Sequence, residues 1–181
     1  YAACPSVATP KHEGDTWVLD VGCGGWKQVA SDPGARTRAA MVTDAAKNRA
    51  LLFGGRTRAG SSGAYTLFND VWAFDFATEA WSKLDTSGTP PSARSNAAVV
   101  LDAKANQLVL FGGNSSTDPL TFAPQADTFA LDLSTNAWRK LSNGASPPGR
   151  LFHSMAVDSD GRRAWIFSGG DANAFTGPFL R

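Results

Sequence analysis

The chain has 181 residues, of which 43% are hydrophobic and 18% charged, so it can bury one substantial core as an ordinary globular domain. Its formal net charge of +1 leaves no global field to draw it to nucleic acid or to an anionic membrane. No apolar stretch is long enough to cross a bilayer.

Residues 1–13 form an N-terminal segment, and no signal peptide is expected in it, since Tyr1 to Pro10 lacks both a basic and an apolar segment. The only cysteines are Cys4 and Cys23. A disulfide between them would close a short loop and suit an oxidising compartment, so an extracellular or periplasmic location is expected; two unpaired thiols in the cytoplasm remain open. His12 begins "HEGD", which lacks the second histidine of a zinc helix motif.

From residue 14 onward the chain repeats itself. "GDTWVLDVGCGGW" opens at Gly14, "NDVWAFDFATEAW" at Asn69 and "ADTFALDLSTNAW" at Ala126. Asp15, Asp70 and Asp127 lie 55 and 57 residues apart, as do Trp26, Trp81 and Trp138. The diglycines Gly54-Gly55, Gly112-Gly113 and Gly169-Gly170 are 58 and 57 apart, and Arg36, Arg94 and Arg150 are 58 and 56 apart. Landmarks this different sharing one period mark a repeat architecture. Each full copy reads as four short strands: a small apolar one, a second ending in diglycine, a third opened by Asp and a fourth carrying Trp. Strands of this length, rich in Val, Leu, Phe and Trp and punctuated by Gly, Pro, Asn and Asp, predict an all-β protein. Asp75 to Thr78 and Asp132 to Thr135 place Asp three residues before Thr, the pattern of a side-chain-stabilised turn. In the first copy Cys23 takes the Thr position, which favours a local tie to Cys4.

The diglycine at the end of an apolar strand, the Trp after the next turn and the arginine that opens each new copy together resemble the kelch motif. His153, three residues after Arg150, also matches that pattern, where Ala39 and Ala97 stand in the other copies. The resemblance covers nearly everything from Gly14 onward. It implies a kelch-type β-propeller, each repeat forming one radial four-stranded blade. The residues suit that plan: Ala39, Ala40, Ala97, Ala98, Ser154 and Ala156 are small enough for the crowded axis. Trp72, Phe74, Trp81, Phe129 and Trp138 supply bulk where blades diverge, each worth roughly 1.5–3 kcal/mol on burial.

Counted this way, the chain holds about three blades: an outer half blade at 14–29, whole blades at 36–84 and 94–141, and an inner half blade at 150–170. Closed propellers have ~4–8 blades, so a six- or seven-bladed ring is expected, completed by the remainder of a parent chain or by a second copy. The repeat arginines are expected to bridge to neighbouring backbone.

Loops between second and third strands, 56–68 and 114–125, are long and share one face with the links 85–93 and 142–149. Long loops on a rigid scaffold are where binding residues gather. Arg56, Arg58 and Tyr65 on one loop and Asn114, Asp118 and Phe122 on the next are therefore the candidate binding residues. The basic cluster of Arg36, Arg38, Arg56 and Arg58 otherwise reads as solvated loop arginines. "DSDG" from Asp158 lacks the later ligands of a calcium loop and reads as a hairpin turn. With two histidines in all and no nucleophile elbow or phosphate loop, no catalytic residue, metal or cofactor is expected. The resulting expectation is a non-catalytic scaffold that holds a protein or glycan on the long-loop face. The resemblance also admits a fragment of a carbohydrate-active enzyme, galactose-oxidase-like or sialic-acid-mutarotase-like, with its catalytic residues on other blades, or a structural subunit of a larger assembly.

Overall fold

The computed structural model describes residues 12–29, 32–141, 144–158, 160 and 163–173. Strands β1 (Trp17–Leu19) and β2 (Trp26–Gln28) pair as an antiparallel hairpin. Next come β3 (Ala40–Asp44) and β4 (Arg49–Phe53), the small hairpin of β5 (Arg56–Thr57) and β6 (Thr66–Leu67), and then β7 (Val71–Asp75) and β8 (Ala80–Leu84). β3, β4, β7 and β8 make a four-stranded antiparallel sheet in that order. After a two-residue strand β9 (Ser87–Gly88), the plan recurs with β10 (Ala98–Asp102), β11 (Gln107–Phe111), β12 (Thr128–Asp132) and β13 (Ala137–Leu141). β14 (Ser154–Val157) and β15 (Ala164–Phe167) close the series as a further hairpin. One 3-10 turn, Ala45–Lys47, is the sole helical element among the described residues. The inner strands β3, β10 and β14 touch in sequence, so the sheets fan out from a common axis, as the expected all-β propeller requires.

Between the four-stranded sheet and the next, where β9 adds a fifth strand beside β13, lies the core. In β4 and β7, Leu51 stands opposite Ala73 and Phe53 opposite Val71. In the next sheet Leu108 faces Leu131 and Leu110 faces Phe129, while Leu131 is also opposite Trp138. All nine belong to one buried apolar cluster. Strand alternation explains the choice, because alternate residues on each strand face the same neighbour. Trp138, 2% exposed, meets Phe53 of the preceding sheet edge-on at 5.7 Å. Trp81 occupies the corresponding seam one sheet earlier, its indole N–H donating to Thr16 Oγ1 at 2.9 Å. In the next copy the position of Thr16 is taken by Val71, which has no hydroxyl, and the Trp138 indole nitrogen is left without a partner. Trp26 departs from the expected seam role: it is 64% exposed, on a hairpin whose outer face no described strand covers.

The repeat arginines are structural, and their geometry shows what they hold. Arg36 donates to the Asp70 carboxylate (2.8 and 3.2 Å), to the Gly54 carbonyl (3.0 Å) and to the Pro33 carbonyl (2.7 Å). Arg94 does the same with Asp127 (2.6 and 3.3 Å), the Gly112 carbonyl (3.0 Å) and Ser92. Burial would raise the Asp70 carboxyl, but hydrogen bonds from Arg36 and Trp72 outweigh it and hold the group below the usual carboxylate range. Gly54 and Gly112 adopt φ of 64° and 68°. A side chain at Gly54 would meet the Arg94 carbonyl at 2.7 Å, so glycine is required there for space as well as conformation.

The third copy is in a different register from the one its glycines suggest. Arg150 reaches 18 residues forward to the Ser168 carbonyl, the same reach as Arg36 to Gly54 and Arg94 to Gly112. Ser168 (φ 63°) and Gly169 (φ 105°) therefore stand in the diglycine positions. Gly170 takes the place that follows, pairing with Leu151 as Arg56 pairs with Thr37 and Asn114 with Ser95. Ser168 adopts the left-handed conformation with its carbonyl accepting from Arg150 Nη1 at 3.1 Å.

Replacing a partner in a buried ion pair leaves the other charge uncompensated. Arg94→Ala is expected to cost about 3 kcal/mol in urea-denaturation experiments. Arg150→Ala, which gives up backbone bonds alone among the described residues, is expected to cost about 1 kcal/mol.

Candidate functional site

Tight turns occupy one end of the sheets. Asp75 Oδ1 accepts from the Ala77 and Thr78 amides (2.9 and 2.8 Å), and Asp132 Oδ1 from those of Ser134 and Thr135 (2.7 and 3.2 Å). Asp20 makes the same turn with the Gly22 and Cys23 amides (2.8 and 3.2 Å). Hydrogen bonds received in these turns, led by the Cys23 side chain at Asp20, the Thr78 amide at Asp75 and the Ser134 amide at Asp132, lower all three carboxyls. Cys23 is a free, exposed thiol. Cys4 lies outside the described residues, so the expected tie between them is not part of the described structure.

At the opposite end the long loops meet. Arg56 follows the diglycine and is fixed by reciprocal backbone bonds with Thr37 (2.8 and 2.9 Å). It is only 6% exposed, where the sequence suggested a solvated or surface cation. The reason is its slot: the residue after the diglycine turns inward in each copy, and Asn114 and Gly170 are buried there as well. The Arg56 guanidinium carbon stacks 3.7 Å from the Tyr65 ring centroid, and that of Arg58 lies 4.7 Å from the same ring. His12 lies nearly parallel to that ring at 6.3 Å, and its Nδ1 is 3.1 Å from Thr57 Oγ1. The Tyr65 amide donates to the Thr117 carbonyl at 2.7 Å, joining the loops of two adjacent sheets.

The second loop is organised from within. Asn114 is fully buried, and its Oδ1 accepts from the Ser116 and Ala123 amides (3.1 and 2.8 Å). Asp118 is exposed and accepts from the Leu120 amide at 2.8 Å. Phe122 is half-buried with its ring edge-on to Phe152 at 6.4 Å, and the Arg38 guanidinium lies 5.1 Å from the Phe152 centroid. Of the six candidates, then, Arg56, Arg58 and Tyr65 gather into one cluster and Phe122 joins a second beside it. Asn114 and Asp118 shape their own loop.

Sequence reasoning read Arg38 only as a solvated arginine and did not single out Phe152. Arg38, Asn96 and Phe152 each stand two residues after a repeat arginine and adopt φ of 58°, 56° and 62°. Asparagine tolerates that region; arginine and phenylalanine are strained in it. Their common offset from Arg36, Arg94 and Arg150 was the available signal. The left-handed turn projects Arg38 and Phe152 onto the loop face.

The electrostatics of the cluster are one-sided. Burial first, and then the charge of Arg38, lower the Arg56 pKa from its ordinary value. Among the described residues no carboxylate pairs with Arg38, Arg56 or Arg58, and Arg56 Nε has no hydrogen-bond partner. Asn114 Nδ2, in the equivalent slot, is likewise unpartnered. Among the described residues no group of three or more His, Cys, Asp or Glu side chains is placed to hold a metal ion. Among the described residues no helix is long and apolar enough to cross a membrane.

His153 sits outside this cluster, buried and edge-on to Phe111 at 5.5 Å. Its burial, and then the Arg150 charge, push it down to about 4. It is a packing residue that stays neutral at physiological pH.

The profile of the KLHDC2/KLHL20/DRC7 Kelch-repeats domain matches residues 7–178. Adagio protein 3 of Arabidopsis thaliana is 32% identical over 170 residues, covering 88% of this chain and 25% of that protein. Acyl-CoA-binding domain-containing protein 5 of the same plant is 30% identical over 165 residues, covering 90% of this chain and 23% of its own length. Kelch domain-containing protein 10 of Xenopus tropicalis is 28% identical over 94 residues, or 51% of this chain and 22% of the relative. The chain thus spans about a quarter of the length of the curated relatives it matches.

The His153 displacement has a defined sign. Between pH 6.5 and about 4 the unfolded chain binds a proton that the folded chain excludes. Stability from this residue is fully present above pH 6.5 and is lost as the pH falls towards 4. His153→Leu is expected to flatten the dependence of the urea midpoint on pH across that window, as measured at pH 7, 6 and 5.

Proposed function

Because the chain belongs to the kelch-repeat family, whose domains are generally protein-binding scaffolds, we propose that it docks a protein partner across the long-loop face. One observation carries this above the others: loops 56–68 and 114–125 are tied to each other through the Tyr65–Thr117 backbone bond, which joins them into one surface without a partner present. Preorganised surfaces lose less entropy on binding. Tyr65, Arg58, Phe122 and Phe152 are aromatic and arginine side chains of the kind enriched at protein interfaces; Tyr65 and Phe152 each lie against an arginine, and Phe122 packs edge-on to Phe152. Strain at Arg38 and Phe152 supports the same assignment, since residues held in unfavourable backbone regions concentrate at functional surfaces.

On this proposal the remaining blades of a six- or seven-bladed ring cover the apolar surface of the hairpins. Trp165 and Phe167 on β15 are exposed, the latter 80%, as Trp26 is on β2. Protein docking and ring completion therefore use different parts of the molecule.

Quantitative affinity capture compares the protein with its Tyr65→Ala and Phe122→Ala variants. Partners recovered by the parent are expected to fall about tenfold or more for each variant. Lys104→Ala, in an exposed turn at the opposite end, should leave recovery unchanged; equal loss with Lys104→Ala would overturn the loop-face assignment.

A further inference from the structure

The hairpins β1–β2 and β14–β15 carry opposite halves of the repeat, and each leaves unmatched what the other holds. Arg36 and Arg94 grip the aspartates that open the third strands of their sheets. Arg150, the third of the series, has only the Pro148 and Ser168 carbonyls among the described residues. Asp15 stands where Asp70 and Asp127 stand, and its carboxylate accepts from the Trp17 indole at 2.6 Å, as Asp70 accepts from Trp72 at 2.7 Å. No arginine meets it among the described residues. The apolar groups divide in the same way. Phe167 occupies the position of Phe53 and Phe111, which are 1% exposed, yet is itself 80% exposed. Met41 is exposed where its counterpart Val99 packs on the core cluster. Strand edges follow suit: β4 pairs with β7 and β11 with β12, whereas among the described residues β15 pairs only with β14 and β1 only with β2.

We infer that a second copy of this chain fills these places: β1–β2 of each copy completes the blade begun by β14–β15 of the other, closing a two-copy ring. The inference rests on the ring completion proposed above, names what completes it, and does not involve loop-face docking. The whole sheets supply the register. Phe53 stands opposite Val71 and Phe111 opposite Thr128, so Phe167 falls opposite Thr16 of the second copy. Asp15 of that copy, the preceding residue, then meets Arg150 as Asp70 meets Arg36. Two uncharged features fit the same occupant. A cavity of about 370 Å³, lined by Val109, Phe111, Leu141 and Ile166 among others, lies between the second whole sheet and β14–β15. Phe111 is the counterpart of Phe53, which meets Trp138 one seam earlier, and Trp26 is the exposed tryptophan at that place in β2. Gly144 adopts φ of 75° and Gly88 of 80°, each six residues before a repeat arginine. Gly88 lies against the Trp138 backbone, whereas a side chain at Gly144 would meet nothing within 4 Å, which leaves room for the Trp26 backbone of the second copy. Each copy brings two whole sheets and two half sheets, so two copies make six blades, within the ~4–8 of closed propellers. A head-to-tail contact whose rotation closes stops growing at the ring.

Light scattering during size-exclusion chromatography is expected to give twice the 19.0 kDa of one copy. Phe167→Glu, at an exposed position, should give the one-copy mass with far-ultraviolet circular dichroism retained. Asp15→Arg sets two arginines together and should weaken association at least about tenfold by sedimentation; adding Arg150→Asp should recover most of it. The cost given above for Arg150→Ala is that of the separated copy. A one-copy mass for the unaltered protein at every concentration would overturn the second copy as occupant and leave ring completion by other blades standing. A two-copy mass unmoved by Phe167→Glu would put the contact elsewhere and overturn the blade pairing with it. Masses beyond two copies would overturn closure, and no recovery in the double exchange would overturn the Asp15–Arg150 pair.

Discussion

One guanidinium per repeat, reaching from the link before a sheet to the end of its second strand and the start of its third, is the contact from which the rest of this structure follows. Arg36 binds the Pro33 carbonyl, the Gly54 carbonyl and the Asp70 carboxylate together; Arg94 binds Ser92, Gly112 and Asp127. Three stretches far apart in sequence meet at a single charged fork. The carbonyl it takes belongs to a residue in the left-handed region, so the second strand must end there and the chain must turn. Because a buried pair loses more when broken than it gains when formed, the fork sets register more than it adds stability.

From that fixed turn the candidate site arises almost without further choice. The residue after the diglycine is held inward by backbone bonds whatever its side chain, and the copies spend the slot differently. Asparagine uses it to brace its own loop, glycine leaves it empty, and arginine presses a positive charge under a tyrosine. The frame is common and the chemistry is local. A repeat protein can in this way carry distinct surfaces on near-identical supports, since the variable side chain does not bear on the fold of its neighbours.

How far these features could be read in advance depends on whether they repeat with fixed spacing. The strand order, the Asp-led turns and the structural role of the arginines were all legible, because a 55- to 58-residue period repeats the same physical demand at each copy. Ser168–Gly169 was not, because an extra glycine beside it mimics the motif and only the length of the arginine's reach tells them apart. Burial of Arg56 was hidden for another reason: composition marks arginine as a surface residue, and the backbone bridge with Thr37 that draws it inward leaves no trace in periodicity. Arg38 and Phe152 escaped because a positive φ at a bulky residue contradicts local preference, and such contradictions are where function departs from folding rules.

At the rim, β9 runs parallel to β13, with the Ser87 amide donating to the Asn136 carbonyl and the Thr89 amide to that of Trp138. The polypeptide leaving one sheet thus seals the outermost edge of the next, and Gly88 lies so close to the Trp138 backbone that no side chain fits. Neighbouring wedges are consequently stitched at the circumference as well as packed along their flanks. The transferable module in such a wheel is therefore offset from the visible spoke: it runs from one rim seam to the next, and a graft cut at spoke boundaries would unpick two perimeters at once.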